Sequence, residues 1–301
     1  MPGKGLFITD DLLGKIRFYN VITPTFGFQT NARSMPNHPG LHHRKIHRFR
    51  KESSVAVEDV LAVEEPLAIR IGNRSVAITM RTPGRDVDLA LGFLFSEGIL
   101  EARAQVQGKV LKSNVVAVSL PTGVSVDWKR LERHSYTSSS CGVCGKTSLE
   151  QVYAAVPFTD TFSTVQVAPE VLQSLPDKLR AAQELFSRTG GIHAAGLFTP
   201  AGELLHFAED VGRHNALDKL VGHYYGLNQL PLGEHVLLLS GRASFELIQK
   251  AAMAGISIVA AVGAPSSLAV SLGEELGLTV CGFTSEQGFN CYCGVGRVVS
   301  V

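Results

Sequence analysis

The sequence predicts an α/β protein in which a small mixed α+β region precedes a larger α/β region. Three observations carry this prediction. Between Ala195 and Cys281, short apolar runs alternate with helical stretches across Gly- and Ser-containing turns. Ahead of them, Leu67 to Ile71 and Ser75 to Met80 alternate apolar and polar residues around Gly72-Asn73, the pattern of a β-hairpin. With 45% hydrophobic and 18% charged residues, the 301-residue chain can build a core, which excludes a disordered polypeptide.

The elements follow in order. Residues 1–52 show no sustained period and end in the basic run His42 to Lys51, so they read as a flexible basic extension. Its sharper reading is a docking arm for an acidic partner. A small mixed domain is expected over 53–132. After its first hairpin, Thr82-Pro83-Gly84 breaks the chain, and Asp86 to Leu100 reads as a helix with Leu89, Phe93 and Leu94 on one face. Val115 to Leu120 and Val124 to Asp127 suggest a second hairpin turned at Pro121-Thr122-Gly123. Residues 133–150, polar and rich in small side chains, read as a mobile loop. The α/β domain is expected over 151–301. It begins with a helical stretch, Pro169 to Thr189, closed by Gly190-Gly191. Strands are expected at Ala195–Phe198, Leu204–Phe207, His235–Leu239, Ser257–Val262 and Leu278–Cys281. Helices are expected at Asn215–Tyr224, Ala243–Ala254 and Ser267–Glu275. Repetition of strand, short turn and helix implies a largely parallel sheet.

Charge and composition narrow the function. The 28 basic and 27 acidic side chains leave a formal charge of +1, which gives no general pull toward nucleic acid or an anionic membrane. No segment offers the ~18 uninterrupted apolar residues of a membrane span. The best run, Ile256 to Val270, is broken by Gly263, Pro265, Ser266 and Ser267. The start lacks the pattern of a secretory signal, so a cytoplasmic location is expected. Five cysteines are too few and odd in number for a disulfide scaffold, and point to chemistry instead.

The strongest motif is Cys141-Gly142-Val143-Cys144. This spacing serves half a zinc site, a redox dithiol or a persulfide carrier. Zinc needs a second pair, and Cys291-Tyr292-Cys293 has the wrong spacing for one. Cys281 lies in an apolar strand and reads as an ordinary buried residue. Gly142 and Gly145 let backbone amides approach the sulfurs, and Lys146 adds a nearby cation, both of which favour a thiolate. Gly145-Lys146-Thr147 is not a P-loop, because Ser140 stands where the first glycine is required.

Other motifs suit an anion. Arg213, His214 and Asn215 follow Gly212 within Glu209 to Lys219, at a helix start. Ser240-Gly241-Arg242 follows one expected strand and Gly263 to Ser267 the next. In a parallel α/β sheet, ligands collect beyond the carboxyl ends of strands. Together these loops point to a phosphate-rich ligand such as a nucleotide. His193, entering an apolar stretch after Gly190-Gly191, reads as a structural residue or one that reaches the ligand.

These pieces resemble the FdhD-type sulfurtransferases required for active formate dehydrogenase. The resemblance runs from about Val55 to Val299. It rests on Glu64-Glu65-Pro66-Leu67, Thr79 to Gly84, Leu91 to Gly98, Cys141 to Gly145, Gly190 to Ala195, Glu209 to Lys219 and Ser240 to Arg242. It implies a cytidine deaminase-like three-layer second domain. It implies a sulfurtransferase that takes persulfide sulfur from a cysteine desulfurase and passes it to the molybdenum bis-guanine-dinucleotide cofactor, a bound substrate. Cys141 is the implied carrier, assisted by Cys144. A homodimer is expected, with cysteine desulfurase and formate dehydrogenase as partners and no metal held by protein side chains.

The family's cofactor-binding stretch maps by position onto Phe283, Thr284, Ser285, Glu286, Gln287 and Gly288. Arg213, His214, Ser240, Gly241 and Arg242 join it as cofactor-binding candidates. Related chains carry arginines in that stretch, where this chain has Ser285, Glu286 and Gly288, with Cys291 and Cys293 just beyond. Either this chain holds the cofactor in a modified way, or Arg213, Arg242 and Arg297 compensate. A zinc deaminase is a poor alternative, because alanine stands where His193-Ala194-Ala195 would need a Glu. A non-catalytic chaperone that binds and protects the molybdenum cofactor needs the anion loops but not the thiols.

Overall fold

The computed structural model describes residues 38–51, 53–102, 106–121, 126, 156–158 and 164–299. Strand β1 (Leu41–Arg50) pairs antiparallel with β2 (Ser53–Ala62), in register from Leu41↔Ala62 to Arg50↔Ser53. The basic run read as part of a flexible extension is therefore one strand of a hairpin. Its residues are mostly exposed on both faces. Without a buried face there is no hydrophobic period to read, and the ladder with β2 holds the strand.

Strands β3 (Glu65–Ile71) and β4 (Arg74–Arg81) form the expected hairpin. With β5 (Gln107–Lys112) and β6 (Val115–Ser119) they make a four-stranded sheet of order β4-β3-β6-β5. Here the structure corrects the sequence reading: β6 pairs antiparallel with the preceding β5. Asn114, at φ 63, makes the turn, a conformation asparagine tolerates better than most residues. Of the expected partner 124–127, all but 126 lies outside the described residues.

The larger sheet contains β7 (His193–Phe198), β8 (Leu204–Asp210), β9 (Val236–Leu239), β10 (Ile258–Ala261), β11 (Thr279–Ser285) and β12 (Gly288–Cys293). Its order is β12-β11-β10-β9-β7-β8. Only the β9–β10 and β10–β11 pairings are parallel, and the other three are antiparallel, so the sheet is mixed rather than largely parallel. The cause is connection length. The β7–β8 and β11–β12 links are short hairpins, whereas a parallel pair needs a crossover of a dozen or more residues.

The central strands read as unbroken apolar runs because both faces are covered. Val236, Leu238, Ile258 and Ala260 meet helix α2 (Pro169–Ala182) through Leu172, Leu175 and Leu179. Leu237, Leu239, Val259 and Ala261 face the opposite way. That side holds α4 (Arg213–Gly226), α5 (Phe245–Met253) and α6 (Ser267–Glu275). Helix α1 (Asp86–Ser96) joins this layer, and its Leu89, Leu94 and Phe95 share a core with Leu67, Ile69 and Val116 of the smaller sheet. The mixed α/β class therefore holds, with one continuous core between the two sheets.

The expected helix over 169–189 is two helices. The chain breaks at Gln183, and α3 (Glu184–Thr189) restarts with its Leu185 and Phe186 amides donating to the Glu209 carboxylate at 3.1 and 2.9 Å. Helices α1 and α4 cross backbone to backbone at Gly92 and Gly222. A Cβ on Gly222 would fall on the Asp88 carbonyl, and one on Gly92 on the Asp218 carbonyl.

Candidate functional site

Two buried polar clusters hold α4 against its neighbours, one at its start and one along its length. Asp210 is fully buried and accepts from the Thr82 and Gly212 amides, Asn215 Nδ2 and Lys219 Nζ, the last at 2.7 Å. Lys219 also donates to the Thr82 carbonyl at 2.8 Å, and Asn215 to the Met80 carbonyl at 2.7 Å. Burial pushes the Lys219 ammonium toward deprotonation, and the Asp210 carboxylate opposes it. In the second cluster, Lys250 Nζ meets Asp218 at 2.9 Å, Glu97 at 3.2 Å and Ser96 Oγ at 2.8 Å. Burial disfavours the Lys250 charge, but Asp218 and Glu97 outweigh it and hold the ammonium protonated. Arg81 ties the smaller sheet to α1 through two 2.9 Å bonds to Asp86 and one of 2.8 Å to Asn114.

These contacts reassign much of the polar motif from Glu209 to Lys219. Glu209, Asp210, Asn215, Asp218 and Lys219 are framework. Arg213 and His214 remain at the surface end of the helix, beside the strand ends.

One edge of the larger sheet gathers the rest. Strands β9, β10 and β11 end there, and β7 begins there because it runs antiparallel to β9. The turns are stitched side by side. Gly263 N donates to the Gly241 carbonyl at 2.9 Å, Ser266 N to the Ala243 carbonyl at 3.0 Å, and Phe283 N to the Gly263 carbonyl at 3.2 Å. Helices α4, α5 and α6 all start at this edge, so their free amides face the same region.

The Ser240 hydroxyl accepts from Ala194 N at 2.8 Å and so anchors β7. Gly241 leaves room for His193, whose ring would lie 3.2 Å from an added Cβ. Burial, then the charges of Arg213 and His214, hold the His193 imidazole below its usual pKa. The stem of Arg242 crosses Gly263, where an added Cβ would lie 3.0 Å from Arg242 Cγ. His214 Nε2 is 2.7 Å from the Glu246 carboxylate. Arg213 Nε is buried and has no hydrogen-bond partner among the described residues, and the same holds for Thr284 Oγ1.

The stretch from Phe283 to Gly288 ends β11 and turns into β12. Glu286 and Gln287 form the exposed turn, and Ser285 Oγ donates to the Gly288 carbonyl at 3.2 Å. Phe283 is 52% exposed and adopts φ 54, an uncommon conformation for a bulky residue. Thus Phe283, Thr284, Arg213, His214, Gly241 and Arg242 share one edge. Arg297 does not: strand β12 carries the chain back, and Arg297 donates to the Gly277 carbonyl ahead of β11. It cannot replace an arginine at the opposite end. Cys141 and Cys144 lie outside the described residues. Two clefts, about 480 and 530 Å³, open elsewhere, and neither is lined by Arg213, Arg242 or the β11–β12 turn.

Sequence reasoning missed Glu246 as a neighbour of His214; its only signal was its place in the first turn of the helix that follows Ser240-Gly241-Arg242. The profile of the FdhD/NarQ family matches residues 62–299. This chain belongs to the FdhD/NarQ family. Among FdhD/NarQ relatives, the sulfur carrier protein FdhD of Streptomyces coelicolor is 52% identical over 267 residues, covering 85% of this chain and 94% of that protein. The sulfur carrier protein FdhD of Mycobacterium tuberculosis is 44% identical, covering 85% of this chain and 98% of that protein. A crystal structure of a putative formate dehydrogenase accessory protein from Desulfotalea psychrophila matches with a TM-score of 0.69 at 20% identity. It covers 87% of this chain and all of that one. That likeness supports the FdhD/NarQ fold.

Proposed function

We propose that this chain is a sulfur carrier of the persulfide-relay type. Cys141 accepts sulfane sulfur from a cysteine desulfurase, Cys144 assists, and the sulfur passes to a molybdenum bis-guanine-dinucleotide substrate destined for formate dehydrogenase. In the loading step, the Cys141 thiolate attacks the outer sulfur of the desulfurase persulfide. The old S–S bond breaks, a new one forms on Cys141, and the desulfurase cysteine leaves as thiolate. The exchange is redox-neutral. The names of the relatives support the carrier role, and the Gly-rich, Lys146-flanked setting of Cys141 supports its reactivity.

The observation that carries the substrate side is Arg213 Nε, buried and without a partner among the described residues, on an edge where three helices begin. A buried guanidinium nitrogen without an acceptor is costly, and a phosphate oxygen would supply one. Arg242 adds a second guanidinium, and the exposed Phe283 ring offers a face for a planar base. Glu286 in the turn works against a polyanion, so Arg213 and Arg242 carry the charge recognition.

Two measurements test this reading. Incubation with a cysteine desulfurase and cysteine is expected to add one reducible sulfur per chain, by mass spectrometry of the intact protein. Retention of that sulfur, together with client activation, in Cys141→Ala would overturn the carrier assignment. Calorimetry with GDP at low salt is expected to show binding that weakens as salt rises. Absence of heat, or unchanged affinity in Arg213→Ala, would remove the substrate site from this edge.

A further inference from the structure

Three cysteines unused by the proposed relay lie on the last two strands. Cys281 on β11 stands directly opposite Cys291 on β12. A register shift at Val280/Cys281 pairs Val280 with Cys293, so that Tyr292 is the extra residue. The shift sorts the sulfurs between the two faces of the sheet. Cys281 and Cys291 share the face covered by α2, while Cys293 packs on the other side against Gly273 and Val280. Cys293 Sγ is also engaged with the Leu278 carbonyl at 3.4 Å.

Directly opposed residues of an antiparallel pair hold their Cα atoms about 4.5–5.5 Å apart. A disulfide spans Cα separations of about 4.4–6.8 Å, so this register already meets its distance requirement. The Cys281 thiol is fully buried, and the Cys291 thiol opposite it donates to the Cys293 carbonyl at 3.2 Å. Cys291 is half-buried on the outermost strand of the sheet, so a small reagent can approach it but not Cys281. We propose that Cys291 is a hydroperoxide-reactive thiol and Cys281 its resolving partner, and that oxidation joins β11 to β12 by a cross-strand disulfide.

The chemistry balances. The Cys291 thiolate attacks one peroxide oxygen, the O–O bond breaks, and the other oxygen leaves as alkoxide and takes a proton. Cys291 is then a sulfenic acid. The Cys281 sulfur attacks the Cys291 sulfur, the S–O bond breaks, and the hydroxyl departs as water with the Cys281 proton. Two thiols supply two electrons, and the hydroperoxide becomes an alcohol and water. The environments set the order of the steps. The neighbouring Cys281 thiol brings the Cys291 thiol down to about 7 against the opposing effect of burial, which favours its thiolate as the attacking form. Its pairing with Cys291, then burial, pushes the Cys281 thiol up.

The test treats the full-length chain with hydrogen peroxide, blocks free thiols, and maps peptides by mass spectrometry. The expected result is a Cys281–Cys291 linked peptide and the loss of two titratable thiols from the hairpin. In Cys281→Ala, a folded chain is expected to trap dimedone on Cys291 and form no such link. Independently, iodoacetamide labelling of Cys291 in the untreated protein is expected to rise with a midpoint near pH 7. Peroxide that leaves Cys291 reduced, or links it to Cys141, Cys144 or Cys293, would refute the proposal. A labelling midpoint near that of an ordinary thiol would refute the order of attack. These readouts are independent of whether Cys141 carries sulfur.

Discussion

Removing the Lys250 ammonium should show how strongly the buried clusters hold α4 and α5 against α1. Asp218 is almost completely buried, and its carboxylate meets Lys250 Nζ at 2.9 and 3.1 Å and Ser96 Oγ at 2.7 Å. In Lys250→Met the methionine fills the apolar path of the stem, but Asp218 keeps only the serine among these partners. Breaking a buried pair costs about 3–5 kcal/mol, because one charge stays uncompensated. At about 2–4 °C per kcal/mol for a domain of this size, the melting temperature should fall by roughly 6–20 °C. The loss should depend on pH. Burial already raises the Asp218 pKa above 3.8, and without Lys250 it rises further. A carboxyl with a raised folded pKa favours the native state below its unfolded pKa and loses that advantage as pH rises toward the folded value. The penalty should therefore be smaller at pH 5 than at pH 8. Melts followed by circular dichroism at both pH values measure it, and Asp218→Asn added to Lys250→Met should recover part of the loss. A variant within 1 kcal/mol of the parent, or a larger penalty at pH 5, would refute the reasoning.

Three further expectations follow from the same geometry. Gly222→Ala places a Cβ on the Asp88 carbonyl of α1, so it should cost about 2–3 kcal/mol or more in urea unfolding; a neutral result would mean that the helices can separate freely. Burial, then Arg85 and His223, brings His206 down to about 4, so between pH 6.5 and 4 the unfolded chain binds a proton that the folded chain refuses. Stability should fall across that window as pH drops, by at most about 1 kcal/mol at pH 5 after solvent screening, and His206→Gln should flatten the fall. Finally, sulfur loading and nucleotide binding should separate. Cys141→Ser should bind GDP with near-parental affinity, and Arg242→Ala should still accept persulfide sulfur, by calorimetry and mass spectrometry respectively. Loss of GDP binding in a folded Cys141→Ser chain would mean a single shared pocket.

Local pattern alone marked most of the elements. The apolar runs of β9 and β10, the alternation of β3 and β4, and the Ser-led helix over Ser267–Glu275 are set by periods that a linear chain displays. The candidate edge was legible too, since Gly and Ser after successive strands mark turns where helix starts collect. Three things needed the tertiary structure. The basic strand Leu41–Arg50 buries no face, so its order comes from pairing with Ser53–Ala62 and not from hydrophobic period. The partner of Val115–Ser119 and the mixed strand directions depend on which neighbours meet across the sheet, which the sequence of a single strand does not encode. Most of all, the polar run from Glu209 to Lys219 looks uniform along the chain but divides in space. Asp210, Asn215, Asp218 and Lys219 turn inward to partners more than a hundred residues away or on another helix, whereas Arg213 and His214 face the strand ends. A helix separates neighbours in sequence by about 100° each. Only packing against Thr82, Met80 and Lys250 decides which of those directions is inside.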